Sequence, residues 1–358
     1  MSIQPVDLIK IIGSPFIKET KSNISDTDLI SVYDSAFENR VGLLYLQKYR
    51  HENWSDILEK RYQVLKIREV KTLEVVVRLS EKLNKFDKGN YIVFKSLKPY
   101  PATPNDTDII YLGKKKKYKE MVQYLLDDGY EFHEWAPQQK TLFDSIGKDQ
   151  IGKGKKGGTY YIDLYEEIST DYYAYLNRNV LRPYMFEKEI NGVSVNLLKP
   201  EPELAIVLFH NVFPERTFQL EHFFLPLYYL EQKDFNISAF LDFVIINKME
   251  KAIRTNFTFI AYLHNKYFGF VPEPVESINK KLGENLKELE RYKASGLALP
   301  YMFSQSTFWS SFVRKTMEWY SFKSLILQAF KMLNPVFFLD VVTALKNRMS
   351  EKGVYHAE

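Results

Sequence analysis

Cysteine is missing from all 358 residues. That excludes disulfides, thiolate metal sites and cysteine nucleophiles together, so any chemistry must come from other side chains. Long apolar runs are missing too. The most apolar stretches, 204–213 and 223–230, fall far short of the roughly 20 residues a membrane-crossing helix needs, and His, Pro or charge interrupts them. The amino-terminal MSIQPVDLIKIIGS lacks a basic segment followed by an apolar one, so it does not read as a signal peptide. A cytoplasmic protein with no membrane partner is the expectation. Strong charge of one sign is absent as well. The 49 Lys and Arg nearly balance the 45 Asp and Glu, for a formal net charge of +4. This permits a nucleotide or nucleic-acid partner without requiring one. No repeat of fixed period stands out.

What is present is an ordinary core-forming composition, 45% hydrophobic, whose periodicity changes twice along the chain. Between Asp26 and about residue 85, apolar residues recur at three- and four-residue spacing. They run through Leu29, Val32, Tyr33, Ala36 and Phe37, then Leu58, Tyr62, Leu65, Val76, Leu79 and Leu83. This predicts two or three helices, with Asp26 and Ser55 as caps. After Lys88-Gly89-Asn90 the texture becomes short apolar runs. Strands are expected at 91–94, 106–112, 130–135, 140–143 and 159–165, with a helix at 118–126. From Pro200 onward the helical period returns, at 201–212, 217–232, 237–251, 257–268, 277–293, 304–332 and 336–352. The expected fold is α+β: N-terminal helices over 1–88, a small α/β core over 89–190 with a mixed sheet and helices on one face, enclosed by helices from both ends of the chain, and a C-terminal helical domain over 191–358.

Within that core, Asp106 and Asp108 stand at i and i+2 of a strand and so point to one face. Asp163 sits in a second strand between Ile162 and Leu164. A charge in such a run wants a partner or a metal. If the two strands are neighbours, three carboxylates converge where hard divalent cations need oxygen ligands. Two such ions stabilise both the attacking and the leaving oxygen of an in-line displacement. Ser96 ends the 91–94 strand ten residues before Asp106. A small residue at that turn lets backbone N–H groups approach phosphate oxygens, and Lys95 or Lys98 adds charge there.

This order (strand, small residue, about ten residues, Asp-x-Asp, helix, strand with a third Asp) resembles the polymerase-beta-type nucleotidyltransferase superfamily. It most resembles the uncharacterised nucleotidyltransferase family of bacteria and archaea. The matching segments are Phe94-Lys95-Ser96, Asp106-Thr107-Asp108-Ile109-Ile110-Tyr111, Ile162-Asp163-Leu164-Tyr165 and a later helix with His210. The superfamily's Gly-Ser pair is reduced to Ser96-Leu97, the Arg before Asp-x-Asp is missing, and Tyr165 stands where a His is usual. The resemblance implies a magnesium- or manganese-dependent transferase that moves a nucleotide from an NTP to an acceptor. In it Asp106, Asp108 and Asp163 are the catalytic metal ligands, and Lys95, Ser96 and Lys98 contact the nucleotide. The acceptor is an RNA end, a protein hydroxyl or a small molecule. The alternative is a nucleotidyltransferase-like protein that binds partners without catalysis.

Other features read more plainly. Lys114–Lys117 reads as a solvated turn, residues 147–158 as a mobile basic loop, and Glu166 and Glu167 as water-facing. His210, His222 and His264 read as satisfied core histidines. Trp309, Phe312, Arg314, Lys315, Trp319 and Tyr320 have the composition of a stacking surface, though core packing explains their aromatics more cheaply.

Overall fold

Three helices precede the sheet where the periodicity places them: α2 (Asp26–Glu38), α3 (Gly42–Tyr49) and α4 (Asp56–Asp87), after a short α1 (Leu8–Ile12). The computed structural model describes residues 5–17, 26–50, 54–104, 106–136, 138–143, 160–170, 172–339 and 342. The long α4 buries Leu58, Tyr62, Leu65, Val76, Leu79 and Leu83, the stripe that its spacing requires.

The core elements are β1 (Tyr91–Phe94), β2 (Asp106–Tyr111), α5 (Lys115–Asp127), β3 (Glu131–Ala136), β4 (Gln139–Phe143) and β5 (Tyr161–Tyr165). A ribbon of β6 (Ile168–Thr170) and β7 (Tyr173–Leu176) follows, then a hairpin of β8 (Met185–Ile190) and β9 (Val193–Leu198). Seven of these strands form one mixed sheet in the order β3-β4-β5-β2-β1-β9-β8. Its parallel pairs are β2 with β5 and β1 with β9.

The central strands β1, β2 and β5 feed two cores. Val93, Ile109, Ile162 and Leu164 pack on α4 and α5 through Val76, Leu79, Met121 and Leu125. From the opposite face, Ile92, Phe94, Ile110 and Tyr165 join the helical domain at Ala205 and Phe209. Helices therefore cover both faces of the sheet, α4 and α5 on one and the C-terminal helices on the other, in keeping with the expected enclosure by helices from both ends of the chain.

The C-terminal elements are α6 (Pro200–Val212), β10 (Thr217–Phe218), α7 (Leu220–Glu231), α8 (Ile237–Ile246), α9 (Glu250–Phe268), α10 (Glu273–Leu282), α11 (Leu286–Ala294), β11 (Tyr301–Met302), α12 (Gln305–Thr316) and α13 (Trp319–Lys331). Several expected boundaries shift for local reasons. The chain breaks between α8 and α9 where Lys248 adopts a left-handed φ of 56°, and between α10 and α11 at Gly283 with φ 77°. The single helix expected over 304–332 is two, and Lys115–Lys117, solvated as expected, form the first turn of α5. The β8–β9 hairpin straddles the expected boundary at 190/191, so the sheet runs on to Leu198. The basic loop at 147–158 and most of the helix expected at 336–352 lie outside the described residues.

Candidate active site

The parallel register of β2 and β5 sets Asp108 directly beside Asp163, and Asp106 beside Tyr161. Register partners share a face, and Asp106 lies two residues from Asp108, so all three carboxylates emerge on the side of the sheet that meets the helical domain. Asp108 is buried, while Asp106 and Asp163 keep part of their surface exposed. The Thr141 hydroxyl of β4 donates to Asp163 Oδ1 at 2.6 Å and fixes its orientation.

Electrostatics register this crowding. Burial, then the charges of Asp108 and Asp163, push the Asp106 carboxyl up to about 7. Burial and then Asp108 also raise Asp163, against the opposing bond from Thr141. These are the shifts expected where carboxylates share a partly desolvated site.

Among the described residues, one cation enters the patch. Lys95 Nζ lies 3.1 Å from Asp108 Oδ1. Burial pulls this ammonium down, but Asp108, Tyr175 and Asp106 outweigh it and hold it above its ordinary range. It also lies over the rings of Phe94 and Tyr165, 5.0 and 5.4 Å from their centroids. Lys95 adopts a left-handed φ of 59°, which is costly for a residue with a Cβ. Its backbone N–H donates to Glu203 Oε1 at 3.1 Å, an anchor that holds the turn in place.

The other two expected nucleotide contacts are committed internally. The buried Ser96 hydroxyl donates to Phe94 O at 3.0 Å and accepts from the Asp108 N–H at 2.9 Å, tying the turn to β2. Lys98 pairs with Glu221 of α7 at 2.8 Å. Glu166 does not face water: it is buried and pairs with Lys115 at 2.9 Å. Glu167 is held by Arg178.

His210, expected as a core histidine on the family-like helix, and residues that the sequence did not nominate complete the surroundings. Tyr175 of β7 and His210 of α6 share a 2.8 Å hydrogen bond beside Lys95. Burial and then the Lys95 charge lower His210 to about 4, so its ring is neutral at pH 7. Behind them Arg40 lies 3.4 Å from Glu221 and 3.9 Å from Glu215. No spacing rule could have found Arg40, Tyr175, Glu203 and Glu215, because they come from the turn after α2, from β7, from α6 and from the turn after α6. The expected core histidines are satisfied. His222 caps α7 through Gln219, and His264 bonds Ser14 and the Phe270 carbonyl.

The donor set is carboxylate oxygen only, which suits a hard cation such as Mg²⁺ or Mn²⁺. Among the described residues, however, no group of three or more His, Asp or Glu side chains is placed so as to hold a metal ion. The three-carboxylate metal cage expected from the sequence is therefore not preassembled. Compared with protein-family models, characterised proteins and solved structures, the chain matches none of them.

Proposed function

We propose that this protein is a metal-dependent nucleotidyltransferase, with Asp106, Asp108 and Asp163 at its catalytic centre. The observation that carries the reading is the β2–β5 register, which puts two strand-borne aspartates side by side and a third on the same face. Among the described residues three carboxylates face one ammonium, an excess of negative charge that a bound cation would relieve. The lack of a ready-made cage is compatible with this. Mg²⁺ usually takes one or two carboxylates and completes its shell with water and substrate phosphates. On this reading Asp106 and Asp108 would hold the ion together with the triphosphate of an NTP. The ion would neutralise charge that builds up on the departing pyrophosphate. Asp163 would orient the acceptor hydroxyl and take its proton, a task that its raised affinity for protons suits. Lys95 would turn from Asp108 toward phosphate oxygen.

The internal commitments of Ser96 and Lys98 favour a second reading, a nucleotidyltransferase-like protein that binds without catalysis. One experiment separates the two. Labelled NTPs with Mg²⁺ or Mn²⁺ are offered together with RNA, protein and small-molecule extracts to the protein and to its Asp106→Ala/Asp108→Ala variant. Label transferred by the first and not by the second is the expected result. No transfer by either, under any metal, would sink the catalytic reading.

A further inference from the structure

The rows of side chains that cross the sheet at the acid patch carry more than carboxylates. One row runs Thr141, Asp163, Asp108 and Phe94 through β4, β5, β2 and β1. The next row on the same face runs Phe143, Tyr161 and Asp106 through β4, β5 and β2. His133 of β3 extends it. Its ring centroid lies 4.2 Å from that of Phe143 and 5.0 Å from that of Tyr161, and the last two are 5.1 Å apart. The helical domain buries Phe94 and Tyr165 on this face, but Phe143 and Tyr161 are part exposed and His133 is exposed. Among the described residues, neither Phe143 nor Tyr161 joins either hydrophobic core. The three rings form an aromatic shelf beside Asp106, packed on one another.

We propose that this shelf binds the last base of an RNA 3′ end. On the nucleotidyltransferase reading of the same site, on which this rests, that RNA end is the acceptor. Strand order separates the shelf from the triphosphate. Lys95 follows β1, whereas the rings stand on β5, β4 and β3, across the carboxylates from it. A base on the rings is therefore on the Asp163 side, where the acceptor hydroxyl is oriented. Reach agrees with this. Tyr161 and Asp163 share a face two residues apart on one strand, about 6.5 Å, which is comparable to the span from a base to its own sugar hydroxyls. The chemistry selects among acceptors. Part-exposed aromatic rings take a base of any identity by stacking. Of an RNA end, a protein hydroxyl and a small molecule, the RNA end is the one that always carries a base next to its hydroxyl. With that base on the shelf, the 3′ hydroxyl lies beside Asp163. Its oxygen bonds to the α-phosphorus as the bond to pyrophosphate breaks, and its proton passes to Asp163.

The test is binding, which needs no transfer. A single-stranded oligoadenylate with a 5′ fluorophore is titrated with the full chain in Mg²⁺ without NTP and read by fluorescence anisotropy. Beside it runs the same strand with an abasic last residue that keeps its 3′ hydroxyl. The wild type is expected to bind the intact strand roughly tenfold or more tighter. Tyr161→Leu, which keeps apolar bulk and removes the ring, is expected to bind both strands alike, and Tyr161→Phe to behave as the wild type. Circular dichroism checks the fold, and Phe143→Leu serves as the second variant if Tyr161→Leu does not fold. A wild type blind to the terminal base, or Leu variants that still distinguish the strands, overturns the proposal. So does a Leu variant that loses the Mg²⁺–NTP rise in melting temperature yet keeps that distinction, since the rings then serve the base of the NTP. A protein that distinguishes the strands but transfers no label keeps the shelf and loses only the catalytic reading. One that labels proteins or small molecules and ignores RNA keeps the catalytic reading and overturns the shelf.

Discussion

Two groups of charge lie on the same side of the sheet and are arranged in opposite ways. Behind the turn at Lys95, Lys98 and Arg40 face Glu221 and Glu215, each charge answered by another. Burial raises Glu221, yet Lys98, Arg40 and His222 overcome it and hold the carboxyl down at about 2. In front, among the described residues, the one ion pair of Asp106, Asp108 and Asp163 is that of Asp108 with Lys95, and Asp106 is pushed up to about 7. The balanced group costs desolvation and recovers it through pairing, so it works as a brace between α2, α7 and the turn after β1. The unbalanced group is answered in part, by Lys95 at Asp108 and by the Thr141 hydroxyl at Asp163, while burial and like charge still raise Asp106 and Asp163. Strongly perturbed carboxylates in a partly open site are where a ligand or a reaction is expected to supply what the fold does not.

Breaking the brace should have the largest effect. Replacing Lys98 with Met leaves Glu221 buried with only the more distant Arg40 guanidinium, at a cost of about 3 kcal/mol. Urea unfolding at neutral pH measures this. The double change Lys98→Met with Glu221→Gln should recover part of the loss, because the uncompensated charge is gone. A loss below about 1 kcal/mol for the single variant would mean that the pair is not a brace at all.

At the acid patch the same kind of change should act the other way. Asp106 binds its proton more tightly in the fold than in the unfolded chain. Its ionisation therefore lowers stability as pH rises from about 4 to about 7, with the full penalty above that window. Asp106→Asn removes the penalty. The variant should match the wild type near pH 4 and exceed it by on the order of 2 kcal/mol at pH 8, read as melting temperature against pH. Mg²⁺ with an NTP should raise the wild-type melting temperature, and Asp106→Asn should lose that shift. Mg²⁺ alone should do less, since the cage is not preassembled. A destabilised Asn variant at pH 8 would place Asp106 in the brace class and end the contrast.

The smallest expected effect lies where the two groups meet. His210 is held neutral, with a folded value of about 4 against an ordinary 6.5. A depressed histidine contributes stability that is lost as pH falls through 6.5 toward 4. His210→Asn should flatten that limb of the pH–stability curve by about 1 kcal/mol at pH 5, whatever it costs at pH 8. An unchanged slope would mean that the ring is not shielded beside Lys95.

Much of the layout was legible from local pattern alone. The apolar stripe of α4, the short runs of β1, β2 and β5, and the Asp-x-Asp spacing are determined within a few residues, because side-chain period follows backbone geometry directly. The β8–β9 hairpin was legible too. Ile190-Asn191-Gly192-Val193 carries the Asn-Gly pair of a two-residue turn, with φ values of 50° and 78°, but its polar edge strand MFEKEI hides the signal from a search for apolar runs. Only the tertiary structure decided the rest. That β2 and β5 are parallel neighbours in a register pairing Asp108 with Asp163 depends on strand order, which no local spacing encodes. Lys98 turns toward Glu221, Lys95 turns toward Asp108, and Arg40 arrives from the turn after α2 and His210 from α6, on either side in the chain. Charge pairing depends on distance in space, and residues far apart in sequence become neighbours only once the helical domain closes over the sheet.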